Sequence, residues 1–346
     1  LGPLLIALLS ALLFGASTPA SKVLLGSVPP LQLAGLLYLG AALGTLPVAL
    51  RDRKRRAAPA HGLDRANRRR LWGSVLLGGT VGPVLLLLGL QRAGSASVAL
   101  LLNLEMAATA LLGVLVFREH LSRVGWAGVV VGLAAGVVIA VPGGLPGLAA
   151  SALVAGACLA WGLDNHLTAL LDGLSPAEAT VYKGAVAGAV NLALGLTLEP
   201  FALTGGGVAW ALLVGVFAYG VSIVLYITSA HHLGATRAQV AFASAPFLGA
   251  GLSFLWLGEP LGWEHVTSGI MLASGVALLM LDQHEHQHEH SAMEHVHSHR
   301  HDDGHHDHVH RELAPNVRHT HRHRHASMVH SHRHLPDLHH RHVHEQ

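Results

Sequence analysis

Gly94-Ser95-Ala96 opens an apolar run that closes at Phe117-Arg118-Glu119-His120-Leu121, and 140 residues later Gly234-Ala235-Thr236 opens another that closes at Leu257-Gly258-Glu259-Pro260-Leu261. Each copy then passes into a Gly/Ala-rich stretch, Gly128 to Gly136 in the first and Gly269 to Ala277 in the second. Each run is about 24 residues long, enough helix to cross a hydrocarbon core of ~30 Å. A weaker echo relates Phe14-Gly15 to Trp161-Gly162. Glu119 and Glu259, matched at corresponding ends, separate this repeat from the chance likeness of any two Gly/Ala/Leu-rich helices.

Outward from the repeat, the chain keeps the same character as far as residue 282. Of its 346 residues, 51% are hydrophobic and 12% charged, with 40 Gly and a mean hydropathy of +0.46. A soluble domain carries about 25% charged residues. The composition therefore excludes a soluble enzyme, a secreted disulfide scaffold and a fibrous protein, and the single Cys158 leaves no internal bridge. Ten apolar spans lie at about 2–26, 30–50, 71–91, 94–117, 123–142, 147–171, 175–198, 206–230, 235–257 and 263–282. Turn residues punctuate them: Val28-Pro29-Pro30, Pro142-Gly143-Gly144, Gly173-Leu174-Ser175-Pro176, Glu199-Pro200 and Thr204-Gly205-Gly206-Gly207. The spans do not alternate apolar with polar, as barrel strands would, so they are helices. The run from Leu1 to Leu25 lacks a basic lead and is followed by further spans, so it reads as a retained helix. With Leu rather than Met at position 1, a few preceding residues are expected.

Basic residues orient the spans. Nine of the 22 Lys and Arg fall between Arg51 and Arg70, Arg118 and Arg123 follow span four, Arg237 follows span eight, and seven lie beyond residue 299. These 19 share one side, which the bias of basic loops makes cytoplasmic, with both termini. The formal charge of +2 and pI near 9.0 do not point to nucleic acid, because the basic residues sit in loops between spans. Each copy of the repeat holds five spans. An odd number inserts the second copy upside down, and inverted repeats of this kind are a property of secondary transporters. The expected fold is an all-α integral membrane bundle of ten transmembrane helices: an inverted repeat at 1–142, another at 143–282, and a disordered cytoplasmic tail at 283–346.

The span count and the Phe117-Arg118-Glu119-His120-Leu121 and Leu257-Gly258-Glu259-Pro260-Leu261 signatures resemble the EamA domain of the drug/metabolite transporter superfamily, over residues 1 to about 282. The resemblance implies two inverted five-helix halves and solute transport. Leu102-Asn103-Leu104-Glu105, Trp161-Gly162-Leu163-Asp164-Asn165-His166-Leu167-Thr168 and the His-rich tail look like marks of a subgroup. One departure stands out: Pro246 of the second copy is matched by Met106, beside Glu105, in the first.

Charges inside the spans, Lys22, Glu105, Asp164 and Lys183, are the informative residues, since each costs roughly 2.5–3.5 kcal/mol to insert. Asp164 and Lys183 lie nine to ten positions either side of the turn at Gly173-Leu174, which gives them one depth in an antiparallel hairpin. Their pairing either holds the hairpin together or acts as a switch that opens for a proton or a substrate carboxylate. Asn165 and His166 beside Asp164 suit a hydrated surface. Glu105, mid-span and without a partner of equal depth, reads as a proton carrier or substrate ligand, or as a neutral Glu bonded to a neighbouring helix, with Asn103 close by. Lys22, in the outer third of span one, is expected to snorkel outward and completes the transport-site candidates. Pro19, Pro83 and Pro246 free backbone carbonyls within spans, and Gly40/Gly44, Gly128/Gly132/Gly136 and Gly184/Gly188 allow close helix approach.

After Asp282 come 23 of the 29 His, many in His-X-His patterns. His284, His286, His288, His305, His306, His308, His319, His321, His323, His325, His339, His340 and His342 are candidate ligands for Zn, Ni, Co or Cu. Ligand imidazoles must be neutral, so such binding weakens as pH falls through about 6.5. A pH-sensitive solubilising tail, and a tail that binds metal without physiological consequence, are the other readings. This composition buries no core, which is the ground for expecting disorder.

The chain therefore reads as a multi-pass transporter of a bacterial inner membrane that exports a small solute by alternating access, with a metal-binding regulatory tail and no required cofactor. A transition-metal (Ni/Co/Zn) exporter, and a membrane-bound metal sensor or docking protein without transport, are the alternatives. The partners are the lipid bilayer, a small-molecule solute and transition-metal ions, with a homodimer left open and nucleic acid excluded. No nucleophile motif, phosphate loop or catalytic carboxylate pair points to an enzyme. The topology is directly testable: a reporter fused after Arg56 should behave as cytoplasmic and one near Gly205 as external, and finding both on one side contradicts the inverted repeat.

Overall fold

A computed structural model describes residues 2–55, 63–117, 121–171, 174–233 and 241–281, together with tail segments 284–290, 293–299, 319–325 and 328–334. Among the described residues nine helices are long and apolar enough to cross a bilayer: α1 (Pro3–Leu24), α2 (Pro30–Lys54), α3 (Arg65–Arg92), α4 (Ser95–Val116), α5 (Arg123–Ala140), α6 (Gly147–Ala169), α7 (Pro176–Leu198), α8 (Gly205–Ser229) and α10 (Trp263–Leu281). The shorter apolar α9 (Ala245–Leu257) lies between α8 and α10, and the start expected for that span falls outside the described residues. Up to Leu281 the described residues form an all-helical membrane bundle. It buries Leu33, Leu87, Leu90, Leu101 and Leu272 at its centre while Leu115, Val130, Leu255 and Ile270 stay exposed on its outer face. So much outward apolar surface belongs against lipid rather than water.

Small residues set the helix contacts. All three glycine stripes legible in the sequence lie at interfaces. A methyl group on Gly188 of α7 would stand 2.8 Å from the Leu39 nitrogen of α2, and one on Gly128 of α5 2.9 Å from the Gly275 oxygen of α10. Gly40 and Gly44 of α2 meet Gly215 and Gly220 of α8 in the same way. In lipid, where apolar burial does not drive helices together, such close approach is what packs them.

Two helices share an irregularity. α3 runs as a π-helix over Val75–Val81 and α8 over Gly215–Val221, segments that begin 140 residues apart, the offset of the sequence repeat. The N–H that closes each segment, Gly82 and Ser222, reaches back five residues to the Leu77 and Phe217 carbonyls. Pro83 follows in α3 and has no N–H to donate. The Gly78 carbonyl is then left for Tyr38 Oη at 2.6 Å and Trp161 Nε1 at 3.0 Å, and the Gly79 carbonyl accepts from Asn191 Nδ2 at 3.0 Å. α4 is interrupted at Leu102-Asn103, and a turn at Ala243-Ser244 precedes α9, where Pro246 falls in the first turn.

Side chains close the helix ends. Ser175 and Glu178 form a reciprocal capping box at α7, and Ser122 and Thr204 cap α5 and α8. Two carboxylates cap helices distant in sequence. Glu199 accepts from Leu31 and Gln32 N–H at the start of α2, and Glu259 from Ser95 N–H, Ser95 Oγ and Ala96 N–H at the start of α4. Glu259, between α9 and α10 in the second half of the chain, thus fastens onto the start of α4 in the first half. Its matched residue Glu119 lies outside the described residues.

The tail departs from the expected disorder in four segments. β1 (His284–His290) pairs antiparallel with β4 (Met328–His334), and β2 (Met293–His299) with β3 (His319–His325). The physical reason is that His-X-His repeats with a period of two, the period of a strand. A core-less sequence still cannot make such a ladder more than marginal on its own. His305, His306, His308, His339, His340 and His342 lie outside the described residues.

Glu259 carries a pH prediction. Burial opposes its charge, but the Ala96 N–H, the Ser95 hydroxyl and N–H, and Lys22 outweigh that and hold its carboxyl below the ordinary value. A carboxyl lowered by folding stabilises the protein above its unfolded pKa of about 4.3, and that contribution disappears as pH falls through the lower folded value. Thermal unfolding of the detergent-solubilised protein between about pH 6 and pH 3 should show this acid loss, and Glu259→Gln should shrink it. An unchanged acid limb in the variant contradicts the capping account.

Candidate transport site

The site grows from α6. At 3.6 residues per turn, consecutive side chains on a helix diverge by about 100°. Asp164 and Asn165 therefore face different neighbours. Asp164 turns toward α3 and α7, where Lys183 Nζ donates to its Oδ2 at 2.5 Å. Its Oδ1 accepts from Ser74 Oγ at 2.5 Å and from Thr168 Oγ1 at 3.1 Å. The hairpin geometry read from the Gly173-Leu174 turn thus brings the two charges together, with side-chain exposures of 9% for Asp164 and 17% for Lys183. Burial to this degree matters because an ion pair in a dry bundle is held only while both partners and their hydrogen bonds are in place.

The π segment of α3 makes room for the carboxylate. Gly78 packs directly on the Asp164 side chain, and a methyl group there would collide with it. Gly79 faces Ala187 and Lys183, and Gly82 faces Trp161, whose indole N–H closes on the Gly78 carbonyl. The charge pair and the irregular stretch of α3 are therefore one packed unit. Tyr38 joins it to the other half, since its hydroxyl donates to Gly78 and its ring lies 6.1 Å from that of Tyr219, inside the π segment of α8. Tyr219 continues through Phe14 to Phe242, at 5.8 and 5.2 Å between ring centroids.

Asn165 and His166 belong to a second cluster, on the α4 side. Asn165 Nδ2 donates to Glu105 Oε1 at 2.9 Å and to Thr109 Oγ1 at 3.3 Å, and His166 Nε2 lies 3.0 Å from the Thr109 carbonyl. Glu105 was expected to stand without a partner at its depth, and the structure corrects this. Its partner is a neutral amide, invisible to a search for charges. Asn103 donates to the Leu100 carbonyl at the break in α4, a local bond that holds the interruption. Lys22 does not snorkel outward. Its ammonium donates to the Leu90 and Ala93 carbonyls at 2.6 and 2.8 Å, closing the C-terminal end of α3. That end carries the negative pole of the helix dipole and carbonyls without intrahelical donors, both of which favour a cation.

Sequence reasoning missed Ser74, Tyr38, Asn191 and Tyr219, and had Trp161 only as part of the Trp161–Thr168 stretch. Thr168 had a signal, lying four residues from Asp164 on one helix face. Ser74 had none, because its contact with Asp164 depends on how α3 packs against α6. Among the residues whose side chains are described, no group of three or more His, Cys, Asp or Glu is placed to hold a metal ion.

Comparison with known proteins agrees with this architecture. A transporter of Methanothermobacter thermautotrophicus, described as uncharacterized, is 27% identical over 291 residues, spanning 78% of this chain and 83% of its own. A solved crystal structure matches 81% of this chain and 96% of its own with a TM-score of 0.58 at 16% identity, a likeness of fold. The EamA-like transporter family matches twice, over residues 1–141 and 148–281, so the chain belongs to that family of membrane transporters.

Proposed function

We propose that the chain exports a small solute across a bacterial inner membrane by alternating access, with the Asp164–Lys183 pair as the contact that opens and closes. The observation that carries this is the pair of π segments, 140 residues apart in α3 and α8, joined through Tyr38 and Tyr219. A π segment replaces the ordinary i→i−4 ladder by longer bonds and leaves carbonyls for side chains to hold. Such a helix bends by exchanging side-chain hydrogen bonds rather than by breaking its own. In the proposed cycle the two halves are inverted copies with both termini cytoplasmic. A proton or the carboxylate of a solute reaching Asp164 and Lys183 loosens the unit that fixes α3 against α6 and α7. The Glu105–Asn165 contact on α4 is the second polar station along the same helix α6. The His-rich tail binds transition-metal ions and regulates transport. Its ligands lie beyond α10, separate from the membrane site, which favours regulation over carriage of the metal through the bundle.

The test is transport by the reconstituted protein in proteoliposomes under an imposed pH gradient, read as gradient dissipation across a panel of organic solutes together with Ni, Co and Zn ions. An organic solute should dissipate the gradient. Dissipation by the metal ions alone identifies a metal exporter instead. Asp164→Asn and Lys183→Met, each leaving one buried charge unpaired, should each cost about 3–5 kcal/mol of stability. The Asp164→Asn/Lys183→Met double variant, with no charge left unpaired, should regain most of that stability while remaining unable to transport. A stable double variant with wild-type transport reduces the pair to a structural fastening.

A further inference from the structure

The strand register in the tail pairs its histidines with one another. His284 stands opposite His334, His286 opposite His332 and His288 opposite His330 in the β1–β4 ladder. In the β2–β3 ladder His295 faces His323, His297 faces His321 and His299 faces His319. The intervening positions are complementary too: Glu285 pairs with Arg333 and Glu294 with Arg324, and Gln287 meets Ser331 as Ser298 meets Thr320. Opposite charges across an antiparallel pair favour that register. A slip by one residue would replace every His–His pair by a mixed one.

We propose that each ladder holds one divalent transition-metal ion of the Zn, Ni and Co class between two His of one strand and two of the strand facing it. His284, His286, His332 and His334 form the first site, and His297, His299, His319 and His321 the second. This rests on the reading of the tail as metal-binding and gives it a specific architecture. Residues i and i+2 of a strand share a face about 7 Å apart, and directly opposed residues are about 4.5–5.5 Å apart between Cα atoms. Four His at the corners of such a rectangle suit a single ion with ligand bonds of about 2 Å, and imidazole is a ligand this class of metal accepts. Metal and pairing are coupled. An isolated two-stranded ladder is marginal in water, and an ion that binds only the paired form stabilises it by mass action. Because β1 begins three residues after Leu281, the last residue of α10, metal loading of the first site draws β4 onto the strand that follows the last membrane helix.

The experiment uses the full chain in nanodiscs with Cys158→Ala and nitroxide labels on Gln287→Cys and Ser331→Cys, one directly opposed pair, or on Ser298→Cys and Thr320→Cys, the other. Zn ions alone are the probe, and the readouts are the inter-label distance and the zinc retained on dialysis. Both label pairs should show a broad distance distribution without zinc and a narrow, short one with it. His284→Asn/His286→Asn should abolish the narrowing at 287/331 while sparing 298/320, and should lower the retained zinc by one ion. Zinc retained with both distributions still broad overturns the two-site architecture and leaves the metal-binding reading standing. No zinc retained overturns both. A short distance that zinc does not change overturns the coupling.

Discussion

A carboxylate and an ammonium group held 2.5 Å apart inside an apolar bundle constrain everything around them. Neither charge is tolerable alone in that setting, since breaking a buried pair costs about 3–5 kcal/mol. Asp164 must therefore meet Lys183 across the α6–α7 hairpin, and the donors Ser74 and Thr168 must complete its shell. Ser74 ends the regular helix at the start of α3, and the π segment begins at the next residue. The glycines of that segment are what let α3 approach the carboxylate closely enough, and Pro83 is what frees the carbonyl that Tyr38 and Trp161 bind. Pair, π segment and aromatic link to α8 are thus one connected unit packed around a single acid.

The same constraint explains what was legible in the sequence. Apolar spans, their punctuation and the 140-residue repeat announce the bundle because lipid allows few other solutions to an apolar chain. The Asp164–Lys183 pair was legible because a hairpin with a short turn leaves little freedom in depth. The glycine stripes were legible because four-residue spacing marks one helix face. Less visible was whatever depends on neutral partners. Asn165 for Glu105, Ser74 for Asp164, and backbone carbonyls for Lys22 and Asn191 are chosen by packing between helices distant in the chain. Charge counting registers none of them. The π segments were hidden for a related reason: Pro83 predicts freed carbonyls, but α8 forms the same segment with Ile223 at the corresponding position.

The ends of the bundle show a different economy. Lys22 closes the C-terminal carbonyls of α3, and Glu259 closes the N-terminal amides of α4, next to it in the chain. Both are charged groups satisfying backbone at helix ends, where the dipole of each helix favours the sign it meets. This end is fastened by backbone caps, and the other by a side-chain ion pair with the Arg70–Leu170 hydrogen bond beside it.

In the alternating-access cycle proposed for the Asp164–Lys183 pair the two ends of the bundle open in turn, so distances across both ends of one molecule should change in opposite senses. Fluorescent pairs placed on exposed positions, Arg92 with Phe201 at one end and Arg68 with Leu281 at the other, report each opening in nanodiscs while solute and pH are varied. The account predicts that one distance lengthens as the other shortens, with both frozen when Asp164→Asn and Lys183→Met are combined. Two distances that rise and fall together, or that remain fixed while solute is being transported, would contradict it.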